Sequence, residues 1–332
     1  MDNLQRAIKL DDCSVTADSI RKDAANFTSV PTPARCIPAE ERALPSFFVI
    51  GPPRTGSSWL HQVLTPHALL PSPAKETRFF DNHFQRGLNW YLAHYQQPNG
   101  GRCMGEVAPT YFASSPARER IAQVAPDAKI VCVFRNPVER IISLYRLKRA
   151  YGLIPWTFEE ALERDSELIE TSKYITNLQL WQRSFGSGKV LAGVYDDLQE
   201  SPQAFVDQLL DFIGIPRFQL ETGQSASVHD SERMTQPRSY FRTRTATIAS
   251  EWFKSRRLDR LVNAFKRSPL CRLVLGGGQP FRQPPDEVVK RLYQKFVPEV
   301  ERLETILGRD LSSWKGELRR ADEDQKLAVD RE

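Results

Sequence analysis

The chain is poor in residues that build metal and disulfide sites. Five cysteines (Cys13, Cys36, Cys103, Cys132 and Cys271) are scattered over 332 residues without a Cys-x-x-Cys pair, and the five histidines show no ligand spacing. Neither a zinc site nor a disulfide framework is expected. Cys132 lies inside an apolar run and reads as a small core residue. No apolar stretch approaches the ~18–20 residues needed to cross a bilayer. Met1 to Asp12 alternates charged and apolar residues and lacks the apolar centre of a signal peptide, so a cytoplasmic protein is expected. There is no internal repeat and no recognised nucleic-acid motif.

What is present is the composition of a globular protein. Apolar residues make up 40% and charged residues 26%. The length suits one large α/β domain with a full core, or two small domains. The net charge of +5 is unevenly placed: residues 233–291 hold 14 Lys and Arg against 4 Asp and Glu. Such a segment can be a solvated face, a nucleic-acid contact, or a basic cover over a polyanionic small molecule or acidic acceptor.

Apolar runs at residues 47–50, 104–107, 128–134 and 189–195 predict strands. The helices expected between and after them span 57–64, 88–95, 115–124, 138–149, 158–164, 174–185, 203–213 and 286–307. This alternation implies a parallel, doubly wound sheet flanked by helices, in one α/β domain over residues 45–315. Residues 1–44 read as a polar, proline-containing extension, 235–285 as irregular, and 316–332 as a frayed tail.

Two segments carry chemistry. In Gly51-Pro-Pro-Arg-Thr-Gly-Ser-Ser-Trp59 a strand ends in a turn, and hydroxyls open a helix. Free N–H groups at a helix start, the helix dipole and the fixed charge of Arg54 together favour an anion there. The spacing is that of a Walker A loop, but Ser57 stands where the lysine should be. The strand 128–134 ends in Arg135 where a nucleoside triphosphatase would need an acid for magnesium. The second segment is Arg135-Asn-Pro-Val-Glu-Arg-Ile-Ile-Ser143. Arg135 sits at a strand's C-terminal edge, where open α/β sheets bind ligands. Taken alone, Arg135 could instead pair with Glu139, and Ser143 could be a packed hydroxyl.

Together the two segments resemble the 5′-phosphosulfate loop and the 3′-phosphate motif of sulfotransferases that use 3′-phosphoadenosine 5′-phosphosulfate (PAPS). The resemblance covers residues 45–215, and more weakly 284–311. It implies a P-loop-like fold and PAPS as co-substrate without a metal. It also implies that Arg54 contacts the leaving phosphate and sulfuryl group. Thr55, Gly56, Ser57 and Ser58 form the cradle, and Arg135 and Ser143 contact the 3′-phosphate. Trp59 matches a residue that stacks on adenine in some branches, or is a core aromatic. Arg282, in Gly276-Gly-Gly-Gln-Pro-Phe-Arg282, loosely matches the late loop over the nucleotide.

Lys75-Glu76-x-x-Phe79-Phe80-Asp81 resembles the heparan sulfate branch, where the corresponding Glu is the general base. The resemblance thus implies Glu76 as base, Lys75 and Arg54 as cations near the transferring group, and an acceptor hydroxyl of a carbohydrate. Glu76 could otherwise be a surface carboxylate paired with Lys75 or Arg78. Glu106 is a second candidate for acid–base work or for placing the acceptor. Val107 departs from the glycan branch, which often has Lys there; the acceptor would then carry less negative charge, or residues after Arg233 would supply the cation. The alternatives are a P-loop kinase or NTPase, a sulfotransferase acting on a lipid or polyketide alcohol, and a polyanion-binding module without turnover. No nucleic-acid partner is expected.

Overall fold

The computed structural model describes residues 44–95, 101–221, 234–255 and 278–316. Four strands form its sheet: β1 (Phe47–Val49), β2 (Gly105–Val107), β3 (Lys129–Phe134) and β4 (Val190–Val194). All pairings are parallel, in the order β2-β1-β3-β4. Phe47 lies level with Gly105 and Lys129. Gly105 is required there, because a Cβ would fall 2.3 Å from the Phe47 ring.

Both faces of the sheet are covered, which is why its strands are apolar apart from Lys129 and the buried Glu106. Phe48, Ile50, Ile130, Cys132 and Phe134 point to one face. They pack with α3 (Ser115–Val124), α7 (Tyr174–Phe185) and an aromatic group that includes Phe79, Phe80 and Tyr91 of α2 (Leu88–Leu92). Phe47, Val49, Val131 and Val133 point to the other face. Their partners come from α1 (Ser57–Leu64), α8 (Tyr195–Glu200) and α9 (Pro202–Ile213). A third cluster joins α4 (Pro137–Ala150) to α5 (Phe158–Arg164), α6 (Glu167–Glu170) and α11 (Asp286–Leu307). This is the doubly wound arrangement expected from the alternation of elements.

The strand order places the site. From β1 the chain proceeds to β2 on one side, and from β3 to β4 on the other. Because β1 and β3 are neighbours, their C-terminal ends flank the topological switch point where such sheets bind ligands. The segments 51–59 and 135–143 follow these two strands.

Helix starts obey local chemistry. Ser114 accepts from the Ala117 N–H at the start of α3, and Asn136 accepts from Val138 and Glu139 at the start of α4. Thr157 and Glu160 form a reciprocal capping box on α5. One expectation is corrected: 235–285 is not irregular throughout, since Tyr240–Ser255 forms helix α10. Its sequence hides this. Threonines and arginines fill it, while Phe241 and Ile248 stay exposed. It is seated by close approach: a Cβ on Gly152 would lie 2.8 Å from the Arg244 nitrogen. The extension 1–43, the tail 317–332, and Gly276 and Gly277 lie outside the described residues. Among the described residues, no helix is long and apolar enough to cross a membrane.

Candidate active site

The loop after β1 is held against β3. The Ile50 N–H donates to the Val131 carbonyl at 2.9 Å. A side chain at Gly51 would put its Cβ 2.5 Å from the Val133 nitrogen, so only glycine lets the loop approach this closely. Arg54 then adopts a left-handed conformation, φ 79°. In a non-glycine residue this costs about 1–3 kcal/mol and persists only where neighbours enforce it. Here the buried Thr55 hydroxyl ties the turn by donating to the Pro52 carbonyl at 2.8 Å. Gly56, φ 89°, is the N-cap of α1, and no side chain caps that helix. Its first N–H groups therefore remain available to a ligand.

The two segments meet. Arg54 Nε donates to Ser143 Oγ at 2.8 Å, across 89 residues of sequence. Ser143 is buried on α4. The Arg54 guanidinium is shifted below its ordinary value, first by burial and then by the positive charge of Arg135. Arg135 lies with its Cζ 4.9 Å from the Tyr195 ring centroid and pairs with Glu139 at 3.0 Å. Its Nε is buried without a hydrogen-bond partner, while its carbonyl accepts from the Tyr174 hydroxyl at 2.8 Å. The Arg135–Glu139 pair considered from sequence does form. It leaves part of that guanidinium unsatisfied. Two like charges in a half-buried crevice form an arrangement that a bound anion would stabilise.

Lys75 connects this cradle to the segment after it. Its Nζ donates to Ser58 Oγ at 3.1 Å and lies 3.3 Å from Glu76 Oε1. Lys75 and Glu76 are both partly exposed, so both can reach a bound molecule. His61, one turn beyond Ser58, was not singled out from the sequence; a lone histidine on a helix carries no signal. Burial and then the Lys75 charge push its pKa down to about 4, so it stands neutral beside the lysine at neutral pH.

Glu106 lies behind this row and is fully buried. Its Oε1 accepts from the Thr77 N–H at 2.8 Å and the Thr77 hydroxyl at 2.7 Å, and its Oε2 lies 3.0 Å from the Tyr91 hydroxyl. It cannot touch an acceptor, which corrects its candidacy for that contact. Val107 is likewise buried in the cluster beside α1. A lysine at this position would point into the core of this chain.

Burial raises the Glu106 pKa to about 7 despite the opposing bonds from Thr77. The folded chain therefore keeps a proton that the unfolded chain releases between pH 4.5 and 7. This contribution to stability is full below pH 4.5 and lost as pH rises through 7. Measured by denaturant unfolding, the stability difference between wild type and Glu106→Gln should shift against the wild type by about 3 kcal/mol from pH 4 to pH 8.

Other sequence candidates separate. Thr55, Gly56, Ser57 and Ser58 line the loop and first turn of α1, as expected. Trp59 is corrected to a core residue. It is 2% exposed and packed in the cluster that contains Val49, Leu60 and Leu209, with no open face for a ring to stack on. Arg282 is exposed. The chain around it lies along α4, since Phe281 packs on Tyr145 and Gln283 accepts from Arg146 Nη2 at 3.0 Å.

Comparison with known proteins agrees with this arrangement. The sulfotransferase domain family matches residues 44–257. The human bifunctional heparan sulfate N-deacetylase/N-sulfotransferase 2 is 29% identical over 53% of this chain, which spans 22% of that protein's length. Human heparan sulfate glucosamine 3-O-sulfotransferase 6 is 25% identical over 81% of this chain and 73% of its own. Among solved structures, a sulfotransferase from Alicyclobacillus acidocaldarius matches with a TM-score of 0.58 at 21% identity, covering 82% of this chain and all of that one; this likeness bears on the fold. With the loop after β1, the arginines at the switch point and the sheet order in place, the chain belongs to the sulfotransferase domain family.

Proposed function

We propose that the protein transfers a sulfuryl group from PAPS to a hydroxyl of a carbohydrate acceptor. The observation that carries this reading is the Arg54–Ser143 hydrogen bond, which joins the loop after β1 to the helix after β3 at the switch point. A ligand with phosphate groups at both ends of one nucleoside suits such a paired site. The α1 N–H groups, Ser57, Ser58 and Arg54 would hold its 5′ end, and Arg135 and Ser143 its 3′-phosphate. The donor brings the sulfuryl group; the chain supplies position and charge. Arg54 and Lys75 neutralise charge that develops on the leaving side. Glu76, beside Lys75 and partly exposed, takes the proton of the attacking hydroxyl. The heparan sulfate relatives favour a carbohydrate acceptor.

Calorimetry with adenosine 3′,5′-bisphosphate tests the nucleotide site. Micromolar binding or better is expected without added metal. Arg135→Ala should weaken it by at least about tenfold, the loss of one charged phosphate contact. Equal affinities for wild type and variant would remove Arg135 from the site. A screen with labelled donor against glycan hydroxyls, glucosamine amines, and lipid or polyketide alcohols then identifies the acceptor class. Turnover confined to the lipid or polyketide alcohols would refute a carbohydrate acceptor, and turnover confined to the amines would refute a hydroxyl.

A further inference from the structure

Glu106 accepts more hydrogen bonds than any carboxylate near the site, yet no ligand can reach it. Both bonds on Oε1 come from one residue, Thr77, through its N–H at 2.8 Å and its hydroxyl at 2.7 Å. Thr77 is 4% exposed and directly follows Glu76. Its hydroxyl in turn accepts from the Phe79 N–H at 3.1 Å, so the turn beyond it is held as well. On the other side, Oε2 meets the Tyr91 hydroxyl at 3.0 Å. That hydroxyl lies 2.8 Å from the Tyr95 hydroxyl, which donates to the Gly105 carbonyl at 3.2 Å. Tyr111 closes the group. Its hydroxyl lies 3.3 Å from Oε1, 3.4 Å from Oε2 and 3.3 Å from Thr77 Oγ1, and accepts from the Phe80 N–H at 3.4 Å.

The short segment after the cradle has little else to hold it. Residues 74–78 belong to no helix or strand. Lys75 touches Ser58, and among the described residues the contact recorded for the Glu76 carboxylate is with that lysine. The Glu106 carboxyl stands on β2, which is hydrogen-bonded to β1, the strand that leads into the Arg54 loop. We propose that Glu106 is a positioning residue: it clamps Thr77 to the sheet and so fixes Glu76 and Lys75 relative to the anion loop. This rests on the sulfotransferase reading above.

The proton count shows what the clamp requires. Along the line Oε2, Tyr91, Tyr95 and the Gly105 carbonyl there are three contacts and two hydroxyl protons. A third proton, on the carboxyl, fills every contact: Glu106 donates to Tyr91, Tyr91 to Tyr95, and Tyr95 to the carbonyl. Oε1 still accepts both Thr77 bonds. An amide does the same, with its oxygen facing Thr77 and its NH₂ donating to Tyr91. Glutamine should therefore preserve the clamp, and leucine should abolish it at similar bulk.

Three variants test this: Glu106→Leu, Glu106→Gln and Thr77→Val. The last keeps the backbone bond but removes the hydroxyl, and protects the test should the leucine variant fail to fold. Amide exchange over residues 75–79, followed by mass spectrometry, reads the clamp without any reaction. It should quicken about tenfold in Glu106→Leu, and less in Thr77→Val, while Glu106→Gln retains protection. In turnover, Glu106→Leu should lose about 100-fold in kcat, the scale of an ångström-sized misplacement. Affinity for adenosine 3′,5′-bisphosphate should stay at the wild-type level, and glutamine should restore kcat. Unchanged exchange in both Glu106→Leu and Thr77→Val overturns the proposal. So does a glutamine variant as impaired as the leucine one, because the carboxyl would then act chemically. Failure of the wild type to bind the bisphosphate would instead refute the enclosing functional reading and leave the exchange result standing.

Discussion

Replacing Arg54 with alanine is expected to lower kcat by about 10³-fold, the loss seen when a preorganised donor to a developing negative charge is removed. The melting temperature of the unliganded protein should not fall. Three features of the arginine set this pair of outcomes. It occupies a left-handed backbone conformation that alanine also dislikes, so the strain is retained. Its guanidinium is partly buried and close enough to feel a second positive charge, Arg135, and both lower its proton affinity. Among the contacts that offset these costs is a bond to the Ser143 hydroxyl at 2.8 Å. A group placed so unfavourably for folding is suited to an anionic ligand. Circular-dichroism melts and turnover on the same preparation check both halves. A variant that melts much lower and keeps its turnover would make Arg54 a fold-holding residue. Lysine at this position should recover part of the rate. It carries the charge but not the planar fork that reaches Ser143 and a phosphate together.

The contrast between Arg54 and Trp59 shows how far the sequence can be read. Gly51, Arg54, Gly56 and the following hydroxyls declare a loop, because glycine and capping chemistry act over a few residues. Arg135 and Asn136-Pro137 declare the next strand-to-helix step for the same reason. That both steps lie at adjacent strands follows from the order β2-β1-β3-β4, which no local signal states. The Arg54–Ser143 contact therefore became visible only in three dimensions. Trp59 is ambiguous in sequence because an aromatic at the start of a helix suits a nucleotide ring or a core equally well. Packing beside Leu60 and Val49 decides for the core. Glu106 is the opposite case. A carboxylate beside a strand looks like a reagent, and its four buried hydroxyl and amide neighbours, spread from Thr77 to Tyr111, show it to be a support. Helix α10 is not legible in the sequence, since its threonines and arginines give no apolar period and it is seated by backbone contact at Gly152.

Glu76→Gln is expected to remove about 10²–10⁴-fold in kcat, the range of a placed general base, while leaving nucleotide affinity unchanged. The separation of these two effects is what the geometry favours. Glu76 follows Lys75 in the chain, and its carboxylate pairs with that lysine at 3.3 Å. A glutamine keeps the size and one acceptor oxygen but cannot accept a proton at neutral pH. Lys75 would also be released from its partner. It would still be held by Ser58 Oγ at 3.1 Å, so the cation beside the transferring group stays in place. Neighbouring His61, with its pKa pushed down to about 4, remains neutral above pH 5 and can neither replace the lost carboxylate as a charge nor repel Lys75. Full activity in Glu76→Gln would exclude this carboxylate as base. Since Glu106 is sealed behind Thr77, the proton would then have to pass to a group outside residues 75–77 or directly to water. A loss of bisphosphate affinity equal to the loss of rate would place Glu76 in the nucleotide site instead, and the acceptor side of the crevice would have to be sought along α4.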